Sequence, residues 1–220
     1  MRKVFERVIL IKSEDGWKGS AFTIEKNDVQ YIVTAKHLFE DLNFPNEAKI
    51  GIYMNNHYED YEVFIKYPEE GDIDIAVIKL KDYKEITPKF DNNYALEHLK
   101  LGEDVWFLGF PFDYEHRLLN RTDSEFPTPF LKKAYVSGIS KNGILIYLDG
   151  MNNEGFSGGP SFIKKDDEWF IIGVICSYRY YESKVYDSKT KVPLEMFVKE
   201  NTGIINSVNI NEVYKVIKQF

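Results

Sequence analysis

The sequence predicts an all-β fold of the barrel or sandwich kind, and three observations carry that prediction. Short apolar runs rich in β-branched and aromatic residues recur along the whole chain, punctuated by Gly, Asn, Asp or Pro. Aromatic residues reach 15%, with 16 Phe and 15 Tyr, a bias toward strands. Helical periodicity is scarce, and the runs do not alternate with long helical patterns as βαβ units would.

Taken in chain order, the predicted strands are Arg7–Lys12, Gly19–Glu25, Gln30–Thr34, Ala48–Met54, Tyr61–Tyr67 and Ile75–Leu80, then Asp104–Phe110, Leu131–Ile139, Ile144–Leu148, Ser161–Lys164, Trp169–Ser177 and Gly203–Ser207. Two segments read as helical. Ala35–Asp41 is short, and Asn211–Phe220 sets Val213, Val216 and Ile217 on one face behind an asparagine at its start. Residues 81–100 are polar and weakly patterned, which marks them as the connection between two halves. Residues 179–201 are charged, Tyr-rich and long for a loop, and predict an extra hairpin. No repeat of fixed period runs through the chain.

The chain's 220 residues suffice for one substantial domain or two small barrels packed as a unit. Lys and Arg total 28 against 35 Asp and Glu, giving a net charge of −7 without a dense basic cluster, so nucleic acid is not an expected partner. The single cysteine, Cys176, cannot close an internal disulfide and leans toward a reducing compartment. No Cys/His group has zinc-site spacing, so neither metal nor cofactor is expected. The apolar run in Met1–Lys12 is too short and too often broken by charge for a signal peptide. No stretch approaches the roughly 18 apolar residues of a membrane span, and the expected setting is the cytoplasm with no membrane partner.

Three local patterns carry chemistry. Gly19-Ser20-Ala21-Phe22 and Tyr31-Ile32-Val33-Thr34-Ala35-Lys36-His37 describe strands, the second of which ends in a small turn presenting a histidine. Asp72-Ile73-Asp74-Ile75-Ala76-Val77 puts an aspartate at the entrance of an apolar strand; Asp74 fits better, with Asp72 as its rival. Gly155-Phe156-Ser157-Gly158-Gly159-Pro160 flanks a serine with glycines that permit unusual backbone angles. A serine nucleophile needs a base within hydrogen-bond reach, and the base needs a partner to hold its tautomer. It also needs backbone N–H groups aimed at the developing oxyanion, and the glycine two before the serine, Gly155, is well placed to provide one. His57, His98 and His116 read as solvated loop histidines, and Cys176 as a small buried hydrophobe. Tyr178, Tyr180 and Tyr181 are the aromatics best placed to line a groove.

In order and texture these motifs resemble those of trypsin-like (chymotrypsin-fold) serine peptidases, closest to the disulfide-free bacterial HtrA-like branch. Thr34-Ala35-Lys36-His37 resembles the family's Thr-Ala-Ala-His, Asp74-Ile75-Ala76-Val77 its Asp-Leu-Ala-Val, and Gly155-Phe156-Ser157-Gly158-Gly159-Pro160 its Gly-Asn-Ser-Gly-Gly-Pro. Val105-Trp106-Phe107-Leu108-Gly109-Phe110-Pro111 resembles the strand opening the second barrel, and Gly203–Ser207 the final strand before a closing helix.

The resemblance implies two Greek-key six-stranded β-barrels with a C-terminal helix in a single peptidase domain. The first barrel is expected at about 1–88, the connection at about 81–100, the second barrel at about 101–208 and the helix at about 209–220. It implies a polypeptide substrate and acyl transfer, with Ser157 as nucleophile, His37 as general base, Asp74 orienting His37, and the N–H groups of Gly155 and Ser157 receiving the oxyanion. No PDZ-like module is expected after the closing helix, and nothing in the sequence fixes an oligomeric state. Three departures matter. Phe156 stands where trypsin carries the aspartate that pairs with a cleaved N-terminus, so activation by that route is not expected. Met151 stands at the base of the specificity pocket, which implies a preference for apolar or small residues. Cys176-Ser177-Tyr178 match the strand that pairs with substrate, and Tyr178 replaces a glycine at the pocket mouth. Phe156, Tyr178 and the segment that follows also suit a second reading, a peptide-binding scaffold with little or no catalysis.

Overall fold

The computed structural model describes residues 2–89, 99–113 and 125–220. The first six strands are β1 (Val8–Lys12), β2 (Lys18–Lys26), β3 (Val29–Thr34), β4 (Glu47–Met54), β5 (His57–Lys66) and β6 (Ala76–Leu80). The second six are β7 (Asp104–Gly109), β8 (Phe130–Ile139), β9 (Leu145–Asp149), β10 (Pro160–Lys165), β11 (Glu168–Tyr186) and β12 (Pro193–Asn209). Each predicted run falls on one of them. They close into two antiparallel barrels, ordered β1-β2-β3-β6-β5-β4 and β10-β11-β12-β9-β8-β7. Closure is made where Ile11 pairs with Ile52 in the first barrel and Ser161 with Phe107 in the second. This is the two-barrel, chymotrypsin-like arrangement that the motifs implied.

The strands read as continuous apolar runs because many are covered on both faces. Successive side chains alternate, so each strand feeds two cores. In β1, Ile9 and Ile11 fill the interior of the first barrel, while Val8 and Leu10 point to the second. In β6, Ala76 and Ile78 point inward and Val77 outward. The second barrel does the same, with Ile163, Ile172 and Ile175 inside it and Phe162, Val174 and Cys176 facing the first. The contact between barrels is therefore a third apolar cluster, not a polar seam, and at about 25 cal/mol per Å² of apolar surface it holds them as one body.

Helix α1 (Arg2–Phe5) is a single turn that the sequence reading did not anticipate. Helix α2 (Ile210–Ile217) closes the chain, with Val213, Val216 and Ile217 buried in the inter-barrel cluster as the periodicity required. Its cap is Asn209, whose Oδ1 accepts the Asn211 N–H at 2.9 Å, so the helix begins one residue before the predicted segment. Ala35–Asp41 reduces to one 3₁₀ turn, Lys36–Phe39. The predicted connection begins strapped to the first barrel, since Gln30 Oε1 accepts the N–H groups of Ile86 (2.7 Å) and Thr87 (3.1 Å). Residues 90–98 of it, His98 included, and likewise His116, lie outside the described residues.

The extra hairpin is larger than predicted. β11 and β12 continue well past the barrel as a two-stranded ribbon joined by a turn at 187–192, pairing Tyr180 with Asn201 and Tyr186 with Pro193. Among the described residues, no helix is long and apolar enough to cross a membrane.

Candidate active site

Pairing of β3 with β6 sets Thr34 opposite Ala76, which brings the end of one strand beside the start of the other. His37 follows β3 on the 3₁₀ turn, anchored by buried Leu38 and Phe39. Asp74 precedes β6 between Ile73 and Ile75, both buried, so alternation turns its carboxylate away from the core. The two side chains meet: His37 Nδ1 lies 2.7 Å from Asp74 Oδ2, and the His37 backbone N–H donates to Asp74 Oδ1 at 2.9 Å. A carboxylate on Nδ1 holds the proton there and leaves Nε2 as the acceptor. Burial pulls the imidazole pKa down, but the hydrogen bond and charge of Asp74, with Glu40 adding, outweigh it and leave His37 above its ordinary value. Asp72, the rival, is exposed and makes no bond to His37.

Ser157 comes from the loop between β9 and β10, and two glycines shape that loop. Gly155 has φ +91° and Gly158 φ +86°, the left-handed region that side chains resist. A Cβ at Gly158 would lie 2.0 Å from the Ser20 carbonyl oxygen, so this glycine also lets the first barrel touch the loop. Ser157 and His37 line one cavity of about 680 Å³, with Trp17, Phe112 and Glu154 on its walls. The Ser157 hydroxyl donates to the Cys176 carbonyl at 3.0 Å, and among the described residues no hydrogen bond joins it to His37.

Hydrogen bonds across the barrels hold this loop. Ser20, fully buried on β2, donates from its Oγ to the Gly155 carbonyl at 2.6 Å and from its N–H to the Ser157 carbonyl at 3.0 Å. Its Oγ also accepts the Phe110 N–H at 2.9 Å, while Thr34 Oγ1 donates to the Ser20 carbonyl at 2.8 Å. The Glu154 carbonyl accepts the Phe112 N–H at 3.1 Å. In a trans peptide the N–H points opposite to the carbonyl, so the Gly155 N–H is turned away from that bond. Among the described residues neither the Gly155 N–H nor the Ser157 N–H has an acceptor. Such a pair of N–H groups can receive an oxyanion. Sequence reasoning missed Ser20 and Thr34, although Ser20 lies inside the first quoted motif; partners this distant in the chain leave no local signal.

The remaining candidates divide. Cys176 is buried and joins the site twice, through its carbonyl to Ser157 and through its Sγ to the Asp74 carbonyl at 2.9 Å. Burial first, then the charge of Asp74, pushes its thiol pKa well up, so it stays protonated. Met151, Ser177 and Tyr178 do not line the cavity that His37 and Ser157 share. Met151 is exposed, and its carbonyl accepts Lys132 Nζ at 2.8 Å. Ser177 pairs with Asn206, whose Nδ2 donates to its Oγ at 2.9 Å, and Tyr178 pairs with Ile205. Phe156 is fully buried, its ring 5.1 Å edge-on from Phe107. Among the described residues no group of three or more His, Cys, Asp and Glu side chains is assembled to hold a metal ion.

A family model described as "Trypsin-like peptidase domain" matches residues 19–174, well over half of the chain. No curated protein matches. Several solved structures share the fold. The Rv3671c protease of M. tuberculosis H37Rv, in its inactive form, aligns with a TM-score of 0.59 at 16% identity, covering 99% of this chain and 90% of that one. A serine endoprotease from Yersinia pestis aligns at 0.59 and 18% identity, covering 99% of this chain and 64% of that one, so the chain spans less than two thirds of that relative. Deg5 aligns at 0.57 and 21% identity, covering 97% of this chain and 88% of that one.

Proposed function

This chain belongs to the trypsin-like peptidase domain family, and from that membership we propose that it is a serine endopeptidase acting through His37, Asp74 and Ser157. One observation carries the proposal: a histidine from one barrel, bound on Nδ1 by a carboxylate at 2.7 Å, shares a cavity with a glycine-flanked serine from the other. In this reading the Ser157 hydroxyl leaves the Cys176 carbonyl and turns to His37 Nε2. As Oγ bonds to the peptide carbonyl carbon, its proton passes to Nε2, and the carbonyl oxygen becomes an anion held by the N–H groups of Gly155 and Ser157. The tetrahedral species collapses, the C–N bond breaks, and His37 gives the proton to the leaving amine. Water then repeats the sequence on the acyl-enzyme and releases Ser157. Asp74 keeps the imidazole oriented and offsets its transient charge. The substrate is an extended polypeptide.

A fluorophosphonate probe tests the chemistry directly. The expected result is labelling of Ser157 in the intact chain, its loss in Ser157→Ala, and a fall in turnover on the order of 10⁴–10⁶ in that variant. A folded sample that resists labelling overturns the proposal. The second reading, a peptide-binding module with little catalysis, is favoured by the Ser157–Cys176 bond, which engages the hydroxyl away from His37. It predicts no labelling, with wild type and Ser157→Ala binding peptides equally.

A further inference from the structure

Beyond residue 176, β11 has β12 on one side and, among the described residues, no strand on the other, because pairing with β10 ends at Val174. The ribbon therefore offers two free edges and apolar side chains on both faces, with Tyr181 66% and Phe197 60% exposed. An unsupported two-stranded ribbon is marginal in water, and a long unpaired edge is a template for another strand. The two edges are not equivalent. Between Tyr178 and Tyr180 the partner residue on β12 moves from Ile205 to Asn201, and between Lys184 and Tyr186 from Phe197 to Pro193. Both irregularities thus lie on β12, whose edge they blunt together with Pro193, while β11 runs unbroken from Ser177 to Tyr186.

The β11 edge is also self-complementary in charge. We propose that it pairs antiparallel with the same edge of a second copy of this chain, about a two-fold axis through Ser183. In that register Glu182 faces Lys184 of the second copy, Tyr181 faces Val185 and Tyr180 faces Tyr186. A two-fold contact makes each of these pairs twice. At the ends Arg179 faces Asp187, whose Oδ1 is engaged in the turn by Thr190 and Lys189 while Oδ2 is not. Opposite charges directly across a strand pair stabilise it and like charges destabilise it. Neither Glu182 nor Lys184 has an ion-pair partner among the described residues, so both are available. The two ribbons together form a four-stranded sheet, with its long inner edges removed from solvent.

The test is a charge swap in the full chain, read by sedimentation or light scattering over a wide range of concentration. Wild type is expected to dimerise. Glu182→Lys alone and Lys184→Glu alone each place like charges opposite one another twice and weaken the dimer on the order of tenfold. The double swap restores it, which a merely destabilised ribbon would not do. Independently, Ser183→Cys should give a covalent dimer on mild oxidation, since facing residues lie about 4.5–5.5 Å apart between Cα atoms, within disulfide reach. Glu195→Cys on the β12 edge should not. A wild-type monomer at all concentrations, a double swap no better than the singles, or equal cross-linking from position 195 overturns the proposal. So does a monomer whose cleavage of long polypeptides responds to the single swaps, because the edge then belongs to substrate.

Discussion

The two halves of β11 are one strand with one neighbour in common, β12, yet they differ in almost everything else. From Ile171 to Cys176 every residue is buried, with Ile172 and Ile175 inside the second barrel and Val174 and Cys176 against the first. From Ser177 to Tyr186 none is buried. β12 pairs along both, with one register shift at their junction, between Ile175 and Ser177, and two along the ribbon. What separates them is cover on the two faces, and the candidate site hangs from the covered half. Cys176, the last buried residue, meets Ser157 with its carbonyl and the Asp74 carbonyl with its thiol. Rigidity at the candidate site thus comes from packing between barrels, while the same backbone a few residues on is a free edge.

If the covered region holds the chemistry, the largest effect belongs to Asp74. Asp74→Asn removes the partner that fixes the His37 tautomer, and turnover is expected to fall about 10⁴-fold. The pH profile gives the sign. His37 must be neutral to take a proton, and its pKa is raised, so the acid limb of the wild-type profile lies above that of a free imidazole. With asparagine, both upward effects of Asp74 vanish and the downward pull of burial remains, so the limb moves to lower pH. An unmoved limb breaks the link between this pair and activity.

Next in size is the packing itself. Ile175→Ala empties a fully buried position on the covered half and is expected to cost about 2–5 kcal/mol in denaturant unfolding. Ser20→Ala follows, because it strips the Gly155 carbonyl and the Phe110 N–H of a buried partner, at about 1–3 kcal/mol. Turnover should drop with it while binding of short peptides changes little, since Ser20 positions the loop and does not line the cavity.

These residues also mark what could be read beforehand. The strands were legible because cover on both faces demands unbroken apolar runs such as Ile9-Leu10-Ile11 and Ile171-Ile172-Gly173-Val174-Ile175. His37, Asp74 and Ser157 stood out as candidates because each sits in a short pattern of its own. Ser20 did not, since its partners, Gly155 and Ser157, lie 135 residues or more away and a buried serine looks like any other in sequence. The ribbon's length was equally hidden. Tyr180-Tyr181-Glu182-Ser183-Lys184 mixes aromatic and charged residues without a core-facing period, so the strand runs on where the apolar signal stops.

The smallest effect belongs to the ribbon, and it is the sharpest check on the contrast. Tyr181→Ser removes a large aromatic from the same strand as Ile175, only six positions on. The ring is 66% exposed and touches neither barrel core, so little transfer free energy is lost with it. In dilute solution the midpoint of unfolding should therefore stay within about 0.5 kcal/mol of wild type. Turnover of short peptides should stay level too, because nothing from 179–201 lines the cavity of His37 and Ser157. A cost near that of Ile175→Ala would mean that the ribbon folds as part of the barrel core, and the distinction between the two halves of β11 would fail.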